Sequence, residues 1–308
     1  MNFSTRVKLD MISKKPKKPC CKRAALSAFI RCAGSVVTRG GRVGFIVVSD
    51  SAVADYFADL IEKLYGEKAK RTLEKNGRKK LTVLSETSAK VLIDLKIVEI
   101  DEDGLDLRLD ISDEFVKNDC CRSAYMTGAF LGSGSVTVPL IDNKKSTGYH
   151  LEFVFSKYVT ACDFSDLLCK KGFLPKTVER KGNFVVYFKN AQEIGDMIAS
   201  LGANRAYLDF TDLLVKKEVR NGENRKINCE LSNMSKQIDA SIRSREEITL
   251  IGDCIGLDVL GESLRSVCEA RLNNKEASMS ELAQILGISK SCLNHRLRKI
   301  SEIAKNLR

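Results

Sequence analysis

The sequence lacks any run of about 18 consecutive apolar residues, the length that a membrane-spanning helix requires. The longest candidate, Ala24 to Val37, is interrupted by Arg31. The basic N-terminal stretch is not followed by an apolar core segment, so no secretory signal is expected. Histidine is scarce, with two residues, and none of the eleven cysteines stands in a CxxC pair. That spacing argues against a zinc module or a disulfide framework and predicts a reducing, cytoplasmic setting with no metal and no cofactor. Phosphate-binding GxxxxGK[ST], dinucleotide-binding GxGxxG after a strand, HExxH and GxSxG are all missing, which leaves no catalytic residues to assign and no small-molecule substrate to predict. Gly132 to Ser135 has the composition of a phosphate loop, but it closes an apolar helix instead of opening one after a strand. His150 precedes a strand and reads as a surface or interdomain residue.

The 308 residues, 44% hydrophobic and 30% charged, have the make-up of an ordinary globular protein and exceed what one core usually supports, so two or three domains are expected. The net charge of +11 is unevenly placed. Residues 1–23 carry eight basic groups against Asp10, and residues 289–308 carry six against Glu302, so the remainder is close to neutral. Positive charge gathered at two places points to a polyanion, with double-stranded DNA favoured over a membrane surface because the C-terminal segment has no bulky aromatic face. The run at 1–19 reads equally well as a solvated, partly disordered tail.

An internal repeat organises the next 200 residues. Residues 20–37, CCKRAALSAFIRCAGSVV, recur as CCRSAYMTGAFLGSGSVT at 120–137, with Cys, Cys, Ala, Gly, Ser and Val in register at an offset of 100. After the first copy come an apolar run at Gly44–Val48, an amphipathic helix at Ala52–Leu64, a strand at Lys80–Leu84 and a helix at Ser88–Leu95. After the second come a strand at Leu151–Phe155, a helix at Tyr158–Leu168, a Gly182-containing turn, a strand at Phe184–Phe188 and a helix at Ala191–Leu201. A duplicated α+β domain follows. Small residues (Ala24, Ala28, Ala33 and Gly34; Ala124, Gly128, Gly132 and Gly134) suit two helices crossing closely at a pseudo-twofold axis.

LSAFIRCAGS at 26–35 and MTGAFLGSGS at 126–135 resemble the paired core helices of LAGLIDADG homing endonucleases. Together with the first cysteine doublet, the motifs at Arg220-Asn221, Asn224-Arg225, Asn228 to Glu230, Asn233 and Lys236, and SKSCLNHRLRKI near the C-terminus, the chain resembles the bacterial WhiA regulators along nearly its full length. The resemblance implies a helix pair over a saddle of strands, a DNA-binding C-terminal end, and roles in cell division, chromosome segregation or sporulation. It also implies metal-holding acids at the eighth motif position. Here those positions are Ala33 and Ser133, neither of which offers an anionic oxygen to a hard cation, so no nuclease chemistry is expected. Asp113, Glu114 and Asp119 precede the second helix, far from that end.

Residues 262–308 read as three helices. Ser278 and Glu281 form a capping box, Gly287 ends the second helix, and Ser289 caps the third. Leu293, Leu297 and Ile300 then make its buried stripe, which leaves Lys290, Ser291, Asn294, His295 and Arg298 exposed, flanked by Arg296 and Lys299. The small Ala283, the turn glycine and Ile288 fit a helix-turn-helix at about 278–304. Ser291, Asn294 and His295 are assigned to base edges, and Lys290, Arg296, Arg298 and Lys299 to phosphates, with Ser289 at the groove-facing start. An amphipathic bundle helix with a solvated basic side is the plainer alternative.

The expected organisation is a basic segment at 1–19, a LAGLIDADG-like domain at 20–214 (repeats about 20–100 and 120–205), a linker at 215–230 with a flexible arm at Lys216–Lys226, and a helical DNA-binding domain at 231–308. A long helix should bury Leu231, Met234, Ile238 and Ile242 and present Asn233, Lys236 and Arg243, which are candidate backbone contacts or simply a solvated face. The reading is a sequence-specific, nucleoid-associated DNA-binding regulator, with other transcription or division proteins as candidate partners. A metal-dependent nuclease using displaced acids and a loosely DNA-binding interaction module are its rivals.

Overall fold

The computed structural model describes residues 1–101, 104–139 and 148–307 and divides into two compact units, Met1–Lys217 and Glu218–Arg308. Arg308, counted above among the C-terminal cations, lies outside the described residues. No helix among those described is long and apolar enough to cross a membrane.

The first unit is built twice from one plan. Helix α1 (Phe3–Ser13) leads into α2 (Pro19–Ala33), β1 (Gly34–Arg39), β2 (Arg42–Asp50), α3 (Ser51–Tyr65), β3 (Lys70–Leu73), β4 (Arg78–Val83) and α4 (Ser88–Asp94). A hairpin of β5 (Val98–Asp101) and β6 (Gly104–Leu107) and the short α5 (Asp113–Val116) join the copies. The second copy runs α6 (Asp119–Ser133), β7 (Gly134–Thr137), β8 (His150–Phe155), α7 (Tyr158–Lys170), β9 (Lys176–Arg180), β10 (Asn183–Phe188) and α8 (Ala191–Ser200). Both sheets are antiparallel with equivalent orders, β1-β2-β4-β3 and β7-β8-β10-β9. The duplicated α+β architecture and its helix pair stand as the repeat predicts.

Strands β1 and β7 start directly at the ends of α2 and α6, where Gly34 and Gly134 turn extended. The sequence pattern places these segments at helix ends and predicts no strand there. Their β-branched content, Val36-Val37-Thr38 and Val136-Thr137, favours the pleated conformation once a neighbouring strand is available. Aromatic rings fasten the helices to the sheets and to one another. Phe29 stacks on Phe57 with centroids 3.7 Å apart, and Phe130 meets Phe153 edge-on at 5.6 Å.

Three expectations are corrected. The basic N-terminal segment is not a tail in residues 3–13. Phe3, Val7 and Met11, spaced by four, are buried in the main core, while Arg6 pairs with Asp209 at 3.0 Å and the largely buried Lys8 with Asp50 at 3.5 Å. Asp10 accepts the backbone amides of Arg205 and Ala206 at 2.7 and 3.2 Å and thereby caps the next helix, α9 (Asn204–Ile255). Lys14 also donates to the Gly202 carbonyl at 2.8 Å.

The flexible linker at 215–230 is instead part of α9, which runs 52 residues without interruption. Lys, Glu and Arg are good helix formers, and their polarity here marks exposure and not a loop. Nor are Leu231, Met234, Ile238 and Ile242 buried; each is at least 40% exposed. They form a spaced apolar stripe, and Met234, Ile238 and Ile242 line an open cleft with the Lys275–Ser278 turn.

The second unit adds a short 3-10 turn (Leu257–Val259), α10 (Glu262–Asn273), α11 (Met279–Ile285) and α12 (Lys290–Asn306) to the C-terminal part of α9. Its core gathers Ile248 and Ile251 of α9 with Val267, Cys268, Leu282, Leu293 and Ile300.

Candidate nucleic-acid interface

The start of α11 is fixed by reciprocal hydrogen bonds. The Ser278 amide donates to Glu281 at 2.8 Å, and the Glu281 amide donates to Ser278 Oγ at 3.3 Å. The first of these bonds holds the Glu281 carboxyl below the ordinary glutamate range. Gly287 then takes a left-handed φ of 62°, open to glycine without strain, and Ile288 N closes the turn on the Ala283 carbonyl at 3.0 Å. Ser289 restarts the chain as the cap of α12, accepting from Cys292 N at 3.2 Å. Leu293 and Ile300 are fully buried and Leu297 partly so.

This rotation about the axis of α12 exposes Ser289, Lys290, Ser291, Asn294, His295, Arg298 and Lys299. Arg296 differs from the rest: it is half-buried, and its guanidinium donates to the Ser263 carbonyl at 3.2 Å. Its anchor on the first residues of α10 makes it a strut more than a free cation. Among the described residues no ion pair takes up Lys236, Arg243, Lys290, Arg298 or Lys299.

Helix α9 contributes to the same place. Lys236 and Arg243 line one cleft with Asn294 and Arg298, of about 450 Å³. Asn233 is exposed about a turn earlier on α9, outside that cleft, with its amide near Cys229 Sγ. The floor includes Arg271, a residue that sequence reading passed over. It is 2% exposed and donates to the Ala277 carbonyl at 2.7 Å and to Ser241 Oγ at 3.4 Å. Burial, with Arg245 nearby, draws its pKa below the usual arginine value. Arg271 ties α9, α10 and the entry to α11 together. It sits on the buried face of α10 beside Val267 and Cys268, where a charged residue gives no periodic signal.

In the first unit, the end of the helix pair where the resemblance implies metal-holding acids carries Ala33 and Ser133. Ala33 has no polar side chain, and Ser133 Oγ bonds back to the Ala129 carbonyl at 3.4 Å. Burial pushes the neighbouring Cys32 thiol up to about 12. A cavity of about 220 Å³ beside the end of α2 is lined by Arg31, Arg108 and Lys157 and by no carboxylate. Glu114 pairs with Arg23 at 2.9 Å and Asp119 with Lys171 at 2.8 Å, and Asp119 opens α6 some 20 Å from the Ser133 end by helix rise. Glu152, opposite Ser135 on β8, is engaged by Ser135 and His150; the position opposite Ser35 in the first sheet is Ile46. Two cations on the first sheet are occupied, Arg71 by Asp59 at 2.8 Å and Lys79 by Asp55 at 2.5 Å.

At the opposite end of the pair, Cys20, Cys21, Cys120 and Cys121 converge, with all four Sγ atoms within 4.8 Å of one another. Chain-local spacing does not reveal this cluster; the offset of 100 between the two doublets was the available signal. Burial raises the Cys21 and Cys121 thiols, the latter to about 11, while a hydrogen bond with Cys121 lowers that of Cys20.

Together these features define a duplicated LAGLIDADG-like scaffold without its acids, in one chain with a helix-turn-helix unit. Family models match in the same order: the WhiA N-terminal LAGLIDADG-like domain over residues 19–97, the WhiA LAGLIDADG-like domain over 122–220 and the WhiA C-terminal HTH domain over 224–304. The chain belongs to the WhiA family. It is 37% identical to the "Probable cell division protein WhiA" of Alkaliphilus metalliredigens, across 99% of this chain and 98% of that protein. The protein of the same name in Bacillus cytotoxicus is 36% identical across 100% and 98%. Full-length WhiA from Thermatoga maritima shares the fold with a TM-score of 0.59 and 22% identity, covering 99% of both chains.

Proposed function

We propose that this chain is a sequence-specific double-stranded-DNA-binding regulator that acts on transcription linked to cell division, chromosome segregation or sporulation in the bacterial cytoplasm, at the nucleoid. Helix α12 enters the major groove. Ser291, Asn294 and His295 read base edges, and Lys290, Arg298 and Lys299 hold phosphates. Lys236 and Arg243 extend the phosphate grip from α9. The observation that carries this reading is that Lys236, Arg243 and Arg298, with no ion pair among the described residues, line one cleft beside a well-capped recognition helix. The LAGLIDADG-like unit serves as a non-catalytic docking body for DNA or for other transcription or division proteins. Its cation-lined cavity, with Ala33 and Ser133 in place of acids, supports that assignment.

The test is selection of bound fragments from random duplex DNA at near-physiological salt, with magnesium and chelator arms assayed for cutting. An enriched motif that disappears with Asn294→Ala, without cleavage, is the expected result. Bound but unenriched DNA with a steep salt slope would identify a loosely binding interaction module instead. Magnesium-dependent cutting would establish a nuclease that uses acids such as Glu152.

A further inference from the structure

Helices α2 and α6 begin alike. Pro19 and Asp119 are each followed by two cysteines, which therefore occupy the second and third positions of two 15-residue helices. The helices pack against each other along their length, so doublets that are 100 residues apart in sequence meet across the pseudo-twofold axis. Cys21 and Cys121 are buried, Cys20 and Cys120 are exposed, and all eleven cysteines of the chain are free thiols.

We propose that these four cysteines bind one zinc ion as a mononuclear tetrathiolate that clamps the two halves of the LAGLIDADG-like unit. The donor set is all sulfur, which selects soft or borderline ions over magnesium or calcium. Four thiolates at about 2.3 Å around a tetrahedral ion stand about 3.8 Å apart. The observed cluster, with no pair of Sγ atoms beyond 4.8 Å, is close to that spacing. An iron–sulfur cluster would have to place several bridging atoms among the sulfurs and spread them further.

Electrostatics favour the same ligand. Binding releases four protons to solvent, leaving four thiolates around a doubly charged cation and a net charge of −2. Both helices direct their positive N-terminal ends at this charge, and neither N-terminus is capped by a side chain. Lys22 and Arg122 follow the doublets, and the Arg122 Nε is buried without a hydrogen-bond partner. The exposed Cys20 and Cys120 give the ion a way in. With all four positions filled by protein, the site is structural, not catalytic.

The test uses full-length protein, stripped of metal by a chelator under reductant and titrated anaerobically with Co²⁺ and then Zn²⁺. The expected result is saturation at one Co²⁺ per chain, with intense tetrahedral d–d bands and thiolate-to-cobalt charge transfer that zinc abolishes. Cys20→Ser and Cys120→Ser, at exposed positions, should each weaken binding by roughly tenfold or more. Cys229→Ser and Cys254→Ser, exposed on α9, should not. Zinc should raise the melting temperature of the wild type and leave the Cys20→Ser/Cys120→Ser double variant unmoved. Absence of the cobalt bands in wild type overturns the proposal, and that measurement needs no variant to fold. So does undiminished binding by the double variant, or a protein that takes up no metal and instead loses two hydrogens per bridge on mild oxidation.

Discussion

The carbonyl oxygen of Ala25 on α2 occupies the space that a side chain on Gly128 of α6 would need: a Cβ at Gly128 would lie 2.1 Å from that oxygen. The two backbones touch there. Gly128→Ala should therefore force the pair apart and cost about 1–3 kcal/mol in urea unfolding of the full chain. The sign is diagnostic, because in an open helix the same change is favourable. Gly222 on α9, where an added Cβ meets nothing within 4 Å, provides the comparison. Gly222→Ala should slow amide exchange around residues 216–230, reflecting about 0.5–1 kcal/mol of added helix stability.

Within α12, the assigned roles separate by their salt dependence. Asn294→Ala should weaken binding to the selected motif by about 1–3 kcal/mol while leaving binding to random duplex nearly intact. Lys299→Ala should weaken both and lower the slope of log affinity against log salt by roughly one unit. Fluorescence anisotropy across a salt series checks both, and equal effects on the two kinds of site would refute the division of labour.

The capping box predicts a pH dependence. Ser278→Ala removes the acceptor for the Glu281 amide and should cost about 1 kcal/mol. The carboxyl of Glu281 has a folded pKa below its unfolded value, because the folded state hydrogen-bonds the charged form. Its contribution is therefore complete above the ordinary glutamate value of about 4.3 and fades as pH falls through the lower folded value. Thermal melts between about pH 3 and 6 should show this decline in the wild type and a flatter profile in Glu281→Gln.

Helix α1 can be tested by contrast along its own sequence. Met11→Ala should destabilise the first unit by about 2–5 kcal/mol, as expected for a buried methionine. Asp10→Ala removes the cap on α9 and should cost about 1–2 kcal/mol. Lys15→Ala, beyond the helix, should stay within about 0.5 kcal/mol. If all three proved silent in differential scanning calorimetry, α1 would contribute nothing to the fold.

Much of this molecule is legible in its sequence where one residue's environment is set by near neighbours. The helix-turn-helix could be read because a cap, a left-handed glycine and an i, i+4, i+7 stripe are all local signals. The duplicated core was legible because its small residues recur at a fixed offset. Misreadings arose where local polarity and tertiary role diverge. Three apolar residues among the cations of α1 drive docking that net charge conceals. Residues 216–230 of α9 are helical yet mostly exposed and strongly polar, so they have the composition of a linker. Arg271 and the cysteine cluster depend on contacts between distant segments, 30 residues for Arg271 to Ser241 and 100 for the doublets.

Because α2 and α6 lie on one chain, nothing obliges the two sides of their axis to match. In a homodimer every change at the axis is made twice, and a residue tolerated once can be excluded when doubled. Here Gly128 has Ala28 as its counterpart, Gly132 has Cys32, and Ser133 has Ala33. A single chain gives each side of the axis its own codon, so the halves are free to differ one residue at a time while the opposite side preserves the contact.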